Sequence, residues 1–364
     1  NSGVTARFYD EATYIGRNTK IGLEAKGSAE TSRARSNNTV IENILSYSRE
    51  FGKSKIFGTA VYSYEKNYSS RNSLEANGFP HDFLKWYSSA QATQIVPDYS
   101  FSESVLMSQM LRFNYVYDNR YLATITGRRD GFSGFGSNSK WGLFPSVALG
   151  WNLHNETFFP FKDVFNEFKV RLSYGLNGNQ AVGPYESISR LGEFNMISGK
   201  QTQAGYIPSR LGQENLGWES SRTLNFGLDF GIFKNRVSGN INVFRTNTTD
   251  LLLNRSISAV HGITSITQNI GETQNTGFEL GLQSRNVVTS DFNWSTSVNL
   301  AFTKNEIVSL YGELDENGKE IDDVGNAWFI GQPIRVNYDF VWEGTWQLDE
   351  AEEVRRQRVD VIER

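Results

Sequence analysis

Apolar and polar residues alternate with a period of two along most of the chain. From Thr223 to Phe233, the residues Leu224, Phe226, Leu228, Phe230 and Ile232 fall on one side, and Thr223, Asn225, Gly227, Asp229 and Gly231 on the other. Successive side chains of a strand point to opposite faces, so this stretch predicts a strand with one oily and one wet face. The pattern recurs. Phe292, Trp294, Val298, Leu300 and Phe302 oppose Asn293, Ser295, Ser297, Asn299 and Thr303. Phe168, Val170, Leu172 and Tyr174 oppose Lys169, Arg171, Ser173 and Gly175, and Phe278, Leu280 and Leu282 oppose Gly277, Glu279, Gly281 and Gln283. Leu111, Phe113, Tyr115 and Tyr117 oppose Arg112 and Asn114, with Val116 breaking the order. About twelve strands of ~10–20 residues are expected.

The connections between them fall into two kinds. Phe51–Lys55, Tyr117–Arg120, Phe233–Arg236 and Val288–Asp291 are short and contain Asn, Asp, Gly or Ser, which tolerate turn geometry. Residues 70–103, 178–219, 250–266 and 306–324 read as long polar loops, and 155–166 is intermediate. Short and long connections tend to alternate. In an up-and-down antiparallel sheet successive connections lie at opposite ends, so one end carries tight turns and the other long loops. Outer-membrane barrels show that asymmetry.

Alternation alone is compatible with two arrangements. In a soluble sandwich the apolar faces pack on one another. In a membrane barrel they face lipid and the polar faces line a wet lumen. Long strands and aromatics near strand ends favour the barrel. So does the spacing of Trp141 and Trp151, ten positions apart on one face. Ten residues span about 33 Å, or about 23 Å along the membrane normal at a tilt of roughly 45°, near the ~25 Å apolar band of such barrels. Trp141 and Trp151 are therefore expected in the aromatic girdles. The competing reading is two ordinary core tryptophans.

Composition removes other classes. The 364 residues include 8 Trp, 16 Tyr and 25 Phe, too many aromatics for a disordered chain. Lys and Arg number 36 against 40 Asp and Glu, a net charge of -4, so there is no basic footprint and no nucleic-acid partner is expected. Cysteine is absent, which excludes disulfides, thiolate metal sites and a cysteine nucleophile. No run approaches the ~18 consecutive apolar residues of a membrane helix, but this leaves a barrel open.

One run reads Arg129-Asp130-Gly131-Phe132-Ser133-Gly134-Phe135-Gly136, followed by Trp141-Gly142-Leu143-Phe144-Pro145-Ser146 and Gly150-Trp151. After it come Lys169 to Gln180, Asn215-Leu216-Gly217-Trp218-Glu219 leading into Leu224–Asp229, Asn269–Glu272 to Gly277–Leu280, and Gly331-Gln332-Pro333 to Gly344–Gln347. In this order the segments resemble the SusC/RagA-like family of TonB-dependent outer-membrane transporters, and the first run is the most specific match. The resemblance implies a barrel of about 22 strands with an N-terminal plug. This chain shows no plug and is expected to be the middle of the barrel wall: residues 1–349 as barrel, 350–364 as a charged tail or truncated loop. An all-β, antiparallel, up-and-down transmembrane barrel, partial, is the expected fold.

Chemistry-bearing residues are sparse. His81, His154 and His261 are scattered over predicted loops without metal-ligand spacing, so no metal is expected. Asp315-Glu316-Asn317-Gly318 resembles a calcium loop but lacks a ligand position, and a solvated turn is the simpler reading. Gly131, Gly134 and Gly136 open no helix and suit a bend rather than a phosphate cradle. No G-x-S-x-G elbow occurs. No catalytic residue and no cofactor are expected. In the long loops, Phe83, Trp86, Tyr87, Tyr185 and Tyr206 are candidate substrate contacts, because an aromatic face can stack on a sugar or pack on a peptide. The alternative is that these rings pack the loops together.

By resemblance, the intact protein would import bulky nutrients, oligosaccharides or peptides, across a bacterial outer membrane. A SusD-like surface lipoprotein would cover its outer mouth, and TonB would act through the N-terminal part. Arg112, Arg171, Asp229 and Glu279 would be wet wall, surrounded by outer-membrane lipid on the far face. The competing classes are a surface β-domain for binding or adhesion and an outer-membrane barrel enzyme.

Overall fold

The computed structural model describes residues 1–339 except Lys200, Ala259 and His261, and only the backbone of Ser198, Gln201 and Thr202. The 350–364 tail and the Gly344–Gln347 motif lie outside the described residues. Eleven strands form one antiparallel sheet, one fewer than the periodicity suggests. In spatial order they are β1 (Ser2–Ile15), β2 (Ser28–Phe51), β3 (Ser54–Asn77), β4 (Gln94–Tyr117), β5 (Tyr121–Phe132), β6 (Trp141–Asn152), β7 (Phe165–Asn179), β10 (Glu219–Ile232), β11 (Val237–Thr249), β14 (Glu272–Val288) and β15 (Asn293–Ser309). Two hairpins stand apart from the sheet: β8 (Arg190–Ser198) with β9 (Gln201–Arg210), and β12 (Leu252–Ser256) with β13 (Ser265–Asn269). No described helix is long and apolar enough to cross a membrane.

Sequential strands pair, so the connections must alternate between the two ends of the sheet. One end holds the turns at 52–53, 118–120 and 233–236, the Thr289–Phe292 turn and the 153–164 segment. Left-handed backbone at Gly52, and at Asp118 and Asn119, closes the first two. The other end holds 16–27, 78–93, 133–140, 180–218 and 250–271, together with residues beyond Ser309. Three predicted loops are corrected here. Residues 70–77 and 94–103 continue β3 and β4, which shortens that loop to 78–93, and 178–219 and 250–266 contain the two hairpins.

Register sorts the side chains into rows. On one face Trp151, Val170, Leu228, Ile241, Leu280 and Leu300 stand side by side across six strands. The next row is Leu149, Leu172, Phe226, Val243, Phe278 and Phe302. On the opposite face the matching row reads Gly150, Arg171, Gly227, Asn242, Glu279 and Ala301. The apolar rows are uncovered: Leu149 is 54% exposed, Phe226 49% and Phe302 66%. With about 4.8 Å between strands and about 6.7 Å between same-face residues, two rows of six cover roughly 390 Å² of sheet. Rows on β2–β5 carry the field past the ~300–600 Å² of the largest patch on a typical soluble monomer. A hydrocarbon surround accounts for this field, and a two-layer core does not.

What core exists sits at the long-loop end. Ala29, Ala76 and Phe79 are buried under Tyr14, Trp86 and Ala92. On the polar face, Phe132, Phe135, Phe144 and Leu216 are also buried. Phe135 and Phe144 both meet Trp218 edge to face, at 5.0 and 5.4 Å between ring centroids.

Candidate functional site

Two surfaces could act on a passing molecule: the polar face of the sheet and the cluster of long connections. On the polar face, two arginines are matched to aspartates within the wall. Arg171 donates from Nε and Nη2 to the two oxygens of Asp229, each at 2.7 Å, and from Nη2 to Asn242 Oδ1 at 3.1 Å. The guanidinium lies over Gly227, where any side chain would collide with it. Arg128 reaches both oxygens of Asp130 at 2.9 and 2.8 Å and Ser108 at 3.1 Å. Arg112 donates to Thr126 Oγ1 at 3.3 Å. Facing lipid, an arginine at mid-depth costs about 2–4 kcal/mol. Here the side chains of Arg171 and Asp229 are 34% and 23% exposed, open to water and paired. Nearby, Asp229, Asn240, Gln283, Ser297 and Asn299 line a polar cleft of about 350 Å³.

At the long-loop end the 78–93 connection is fixed to the 16–27 connection. The Tyr14 hydroxyl donates to Asp82 Oδ1 at 2.7 Å, the Arg17 backbone N–H donates to the same oxygen at 3.2 Å, and the Arg17 guanidinium donates to the Pro80 carbonyl. Burial, then the Asp82 bond, pushes the Tyr14 phenol up to about 12. The bond from Tyr14 in turn holds the Asp82 carboxyl below the usual carboxylate range.

The candidate contacts divide. Phe83 and Tyr87 are 90% and 81% exposed on this fixed connection. Trp86, between them in sequence, packs on the Ala29–Ala76–Phe79 core, with Lys85 over its ring at 5.9 Å. Tyr185 is a packing residue: its hydroxyl accepts from the Glu103 backbone N–H at 3.0 Å, and its ring meets Phe101 at 6.4 Å and the Arg190 guanidinium at 5.7 Å. Tyr206 is exposed on β9, opposite Glu193. Trp141 and Trp151 stand on the apolar face at the two ends of β6, both outside any core. Arg129 covers Trp141 at 4.3 Å, while Trp151 stacks on Tyr121 at 6.2 Å and donates to Glu156 at 3.0 Å.

Sequence reasoning missed the Phe135–Phe144–Trp218 cluster and the Asp82 anchor. The glycine-rich entry was a usable signal for the first. A Cβ on Gly136 would lie 2.1 Å from the Glu214 carbonyl oxygen, so these glycines let the 133–140 and 213–218 segments touch backbone to backbone. Asp315 proves to be a turn former: its Oδ1 accepts from the backbone N–H groups of Asn317 and Lys319 at 2.9 and 2.8 Å. His154 Nδ1 lies 3.2 Å from the Phe168 backbone nitrogen, and His261 lies outside the described residues. Among the described residues no group of three or more His, Asp or Glu could hold a metal ion.

Known proteins share this architecture. Residues 2–358 match the family described as TonB dependent receptor-like, beta-barrel. TonB-dependent receptor P3 of Formosa agariphila is 33% identical over 311 residues, which is 84% of this chain and 31% of that protein. TonB-dependent receptor SusC of Bacteroides thetaiotaomicron is 35% identical over 243 residues, 65% of this chain and 23% of that protein. The chain thus spans about a third or less of the length of these curated relatives. Among solved structures, the RagAB peptide transporter superposes with a TM-score of 0.79 at 24% identity, covering 91% of this chain and 36% of that one, a likeness of fold. An eleven-strand wall with one uncovered apolar face and one polar face, matched over nearly its whole length, places this chain in the TonB-dependent receptor β-barrel family of the bacterial outer membrane.

Proposed function

We propose that the chain is wall of a SusC-like importer that brings oligosaccharides or peptides across the outer membrane. The observation that carries this reading is the sorting of side chains by register: apolar rows outward, and Arg171, Asp229, Asn242 and Glu279 on the face that lines the passage. Such a wall makes and breaks no bond. It holds a water-filled route open while a gate elsewhere in the protein, drawn by TonB, controls it. A SusD-like surface lipoprotein working at the outer mouth completes the reading. Phe83 and Tyr87, exposed on an anchored connection, and Tyr206 on the β8–β9 hairpin offer rings to incoming substrate. Trp141 and Trp151 anchor the band at its two edges.

The test uses the full-length receptor in its own cells. Uptake of labelled oligosaccharide and peptide mixtures is measured with the receptor intact, deleted, and in a strain without TonB. Uptake that needs both receptor and TonB is expected. The Phe83→Ala, Tyr87→Ala double variant is expected to raise the half-saturating concentration roughly tenfold with little change in maximal rate. Uptake that persists without TonB, or is unaffected by deleting the receptor, overturns the import reading.

A further inference from the structure

Strand β4 outruns one of its neighbours. It pairs with β3 along the whole of Gln94–Tyr117, but with β5 only from Leu106 onward. Before Leu106 one side of β4 is bonded to β3 and no described strand pairs with the other. Alternation decides which backbone groups face the open side. Glu103 donates its N–H to the Tyr185 hydroxyl at 3.0 Å. Val105 donates to Ser133 Oγ at 2.9 Å and accepts from the Ser133 N–H at 3.0 Å. Both residues are odd-numbered, and neither bond goes to β3. Ile95, Pro97, Tyr99 and Phe101 therefore also turn their backbone groups away from β3. Pro97, with no N–H to give, stands at one of these positions, where its missing donor takes nothing from the β3 ladder. Among the described residues, what remains is a short run of donors and acceptors without partners, closed at its membrane end by Tyr185 and Ser133. Such an edge is a template for an added strand.

The side chains state what kind of strand fits. Ile95, Tyr99 and Phe101, 43%, 62% and 51% exposed, lie with Pro97 on the outward side. On the inward side Asp98 stands level with Ser73, Ser32 and Glu11, and Val96 level with Glu75 and Glu30. Against these carboxylates the same patch holds Arg71, paired with Glu30 at 3.6 Å. Register sets Trp141 level with Met107 through Gly131. Phe101 is six residues further on, which lifts it about 20 Å along the strand and roughly 14 Å beyond the girdle. The edge thus stands clear of the bilayer.

We propose that Ile95–Phe101 is the docking strand for an extended segment of the surface lipoprotein, a segment that alternates apolar residues over Tyr99 and Phe101 with Lys or Arg toward Asp98 and Glu75. This rests on the import reading above. A polypeptide backbone supplies donors and acceptors at the strand repeat, which a glycan does not. The acidic inward side selects the basic residues of the incoming strand.

The test is photo-crosslinking in cells from a benzophenone amino acid placed at Tyr99 of the full-length receptor, with co-purification of the lipoprotein and TonB-driven uptake measured in parallel. A crosslink to one extended apolar–basic segment of the lipoprotein is expected. Tyr99→Pro removes an open-side N–H and spares the β3 ladder, so it is expected to weaken co-purification at least about tenfold. Asp98→Lys, a surface change, is expected to weaken it as well. Crosslinks only to a second receptor, to the receptor's own loops or to cargo overturn the proposal, as does no crosslink, or co-purification unchanged in both variants. If uptake still needs TonB, the import reading survives that failure. If the lipoprotein does not co-purify even with the unaltered receptor, the partner reading falls together with the docking strand.

Discussion

Phe144 is the one large ring on the polar face of β6, where its companions are Gly142, Ser146, Ala148, Gly150 and Asn152. It fits because Gly178 and Gly142 leave its space empty: a Cβ at Gly178 would lie 2.0 Å from the ring, and one at Gly142 would lie 2.4 Å away. The ring then meets Trp218 and ties the 213–218 segment to the wall. Gly178→Val is expected to destabilise the full-length receptor by about 1–3 kcal/mol, the usual consequence of overfilling a packed site. Denaturant unfolding in detergent measures it, and Phe144→Leu in the same background should recover part of the loss. An unchanged midpoint would show that the ring has room to move. The glycines and the phenylalanine were all visible in the sequence motif. Their contact was not, because it joins residues from β6 and β7 with a tryptophan some forty residues further along.

Among the connections, the pair 16–27 and 78–93 behaves as one body because Tyr14, Arg17 and Asp82 join them. Both titrating groups contribute a pH dependence. Asp82 has a folded pKa below its unfolded one, so its contribution is present above the ordinary carboxylate range and lost as pH falls through the lowered value. Tyr14, raised to about 12, contributes fully below its unfolded value near 10 and loses that contribution as pH climbs through about 12. Hydrogen exchange at the Gly78 and Phe79 amides should therefore be slowest between these limits and accelerate at the acid end. In Asp82→Asn it should be faster at neutral pH and insensitive to acid. Equal protection in both proteins at pH 7 refutes the anchor. Element boundaries were least legible in this region. Residues 70–77 and 94–101 include Ser70, Arg71, Asn72, Ser73, Pro97, Asp98 and Ser100. A strand that has left the membrane meets water on both faces, so the two-residue rhythm fades although the backbone continues extended.

For the molecule as a whole, alternation made the two faces legible but not which of them meets lipid; strand length and the Trp141–Trp151 spacing were what favoured the barrel orientation. Phe226 and Asn225, neighbours on β10, lie on opposite sides of the wall. Spin labels at these positions in the reconstituted full-length receptor should report hydrocarbon at 226 and water at 225, by oxygen and nickel accessibility. The reverse result would falsify the barrel orientation. The candidate site was less legible than the wall. Tyr185 and Trp86, in predicted long loops, read either as substrate contacts or as loop packing; one closes a strand edge and the other roofs a small core. Aromatic character alone does not separate a ring that greets a ligand from a ring that seals a joint.

The strands differ in height. β2, β3 and β4 each run 24 residues, whereas β5 and β6 run 12. At a tilt near 45° the shorter pair rises about 28 Å, little more than the bilayer's oily slab, and the taller trio about 56 Å. The parapet is consequently notched, with a palisade on one flank and a sill on the other. The lower rim over β5 and β6 is capped by the 133–140 connection between them, whose Phe135 is buried against Trp218 of the 213–218 segment.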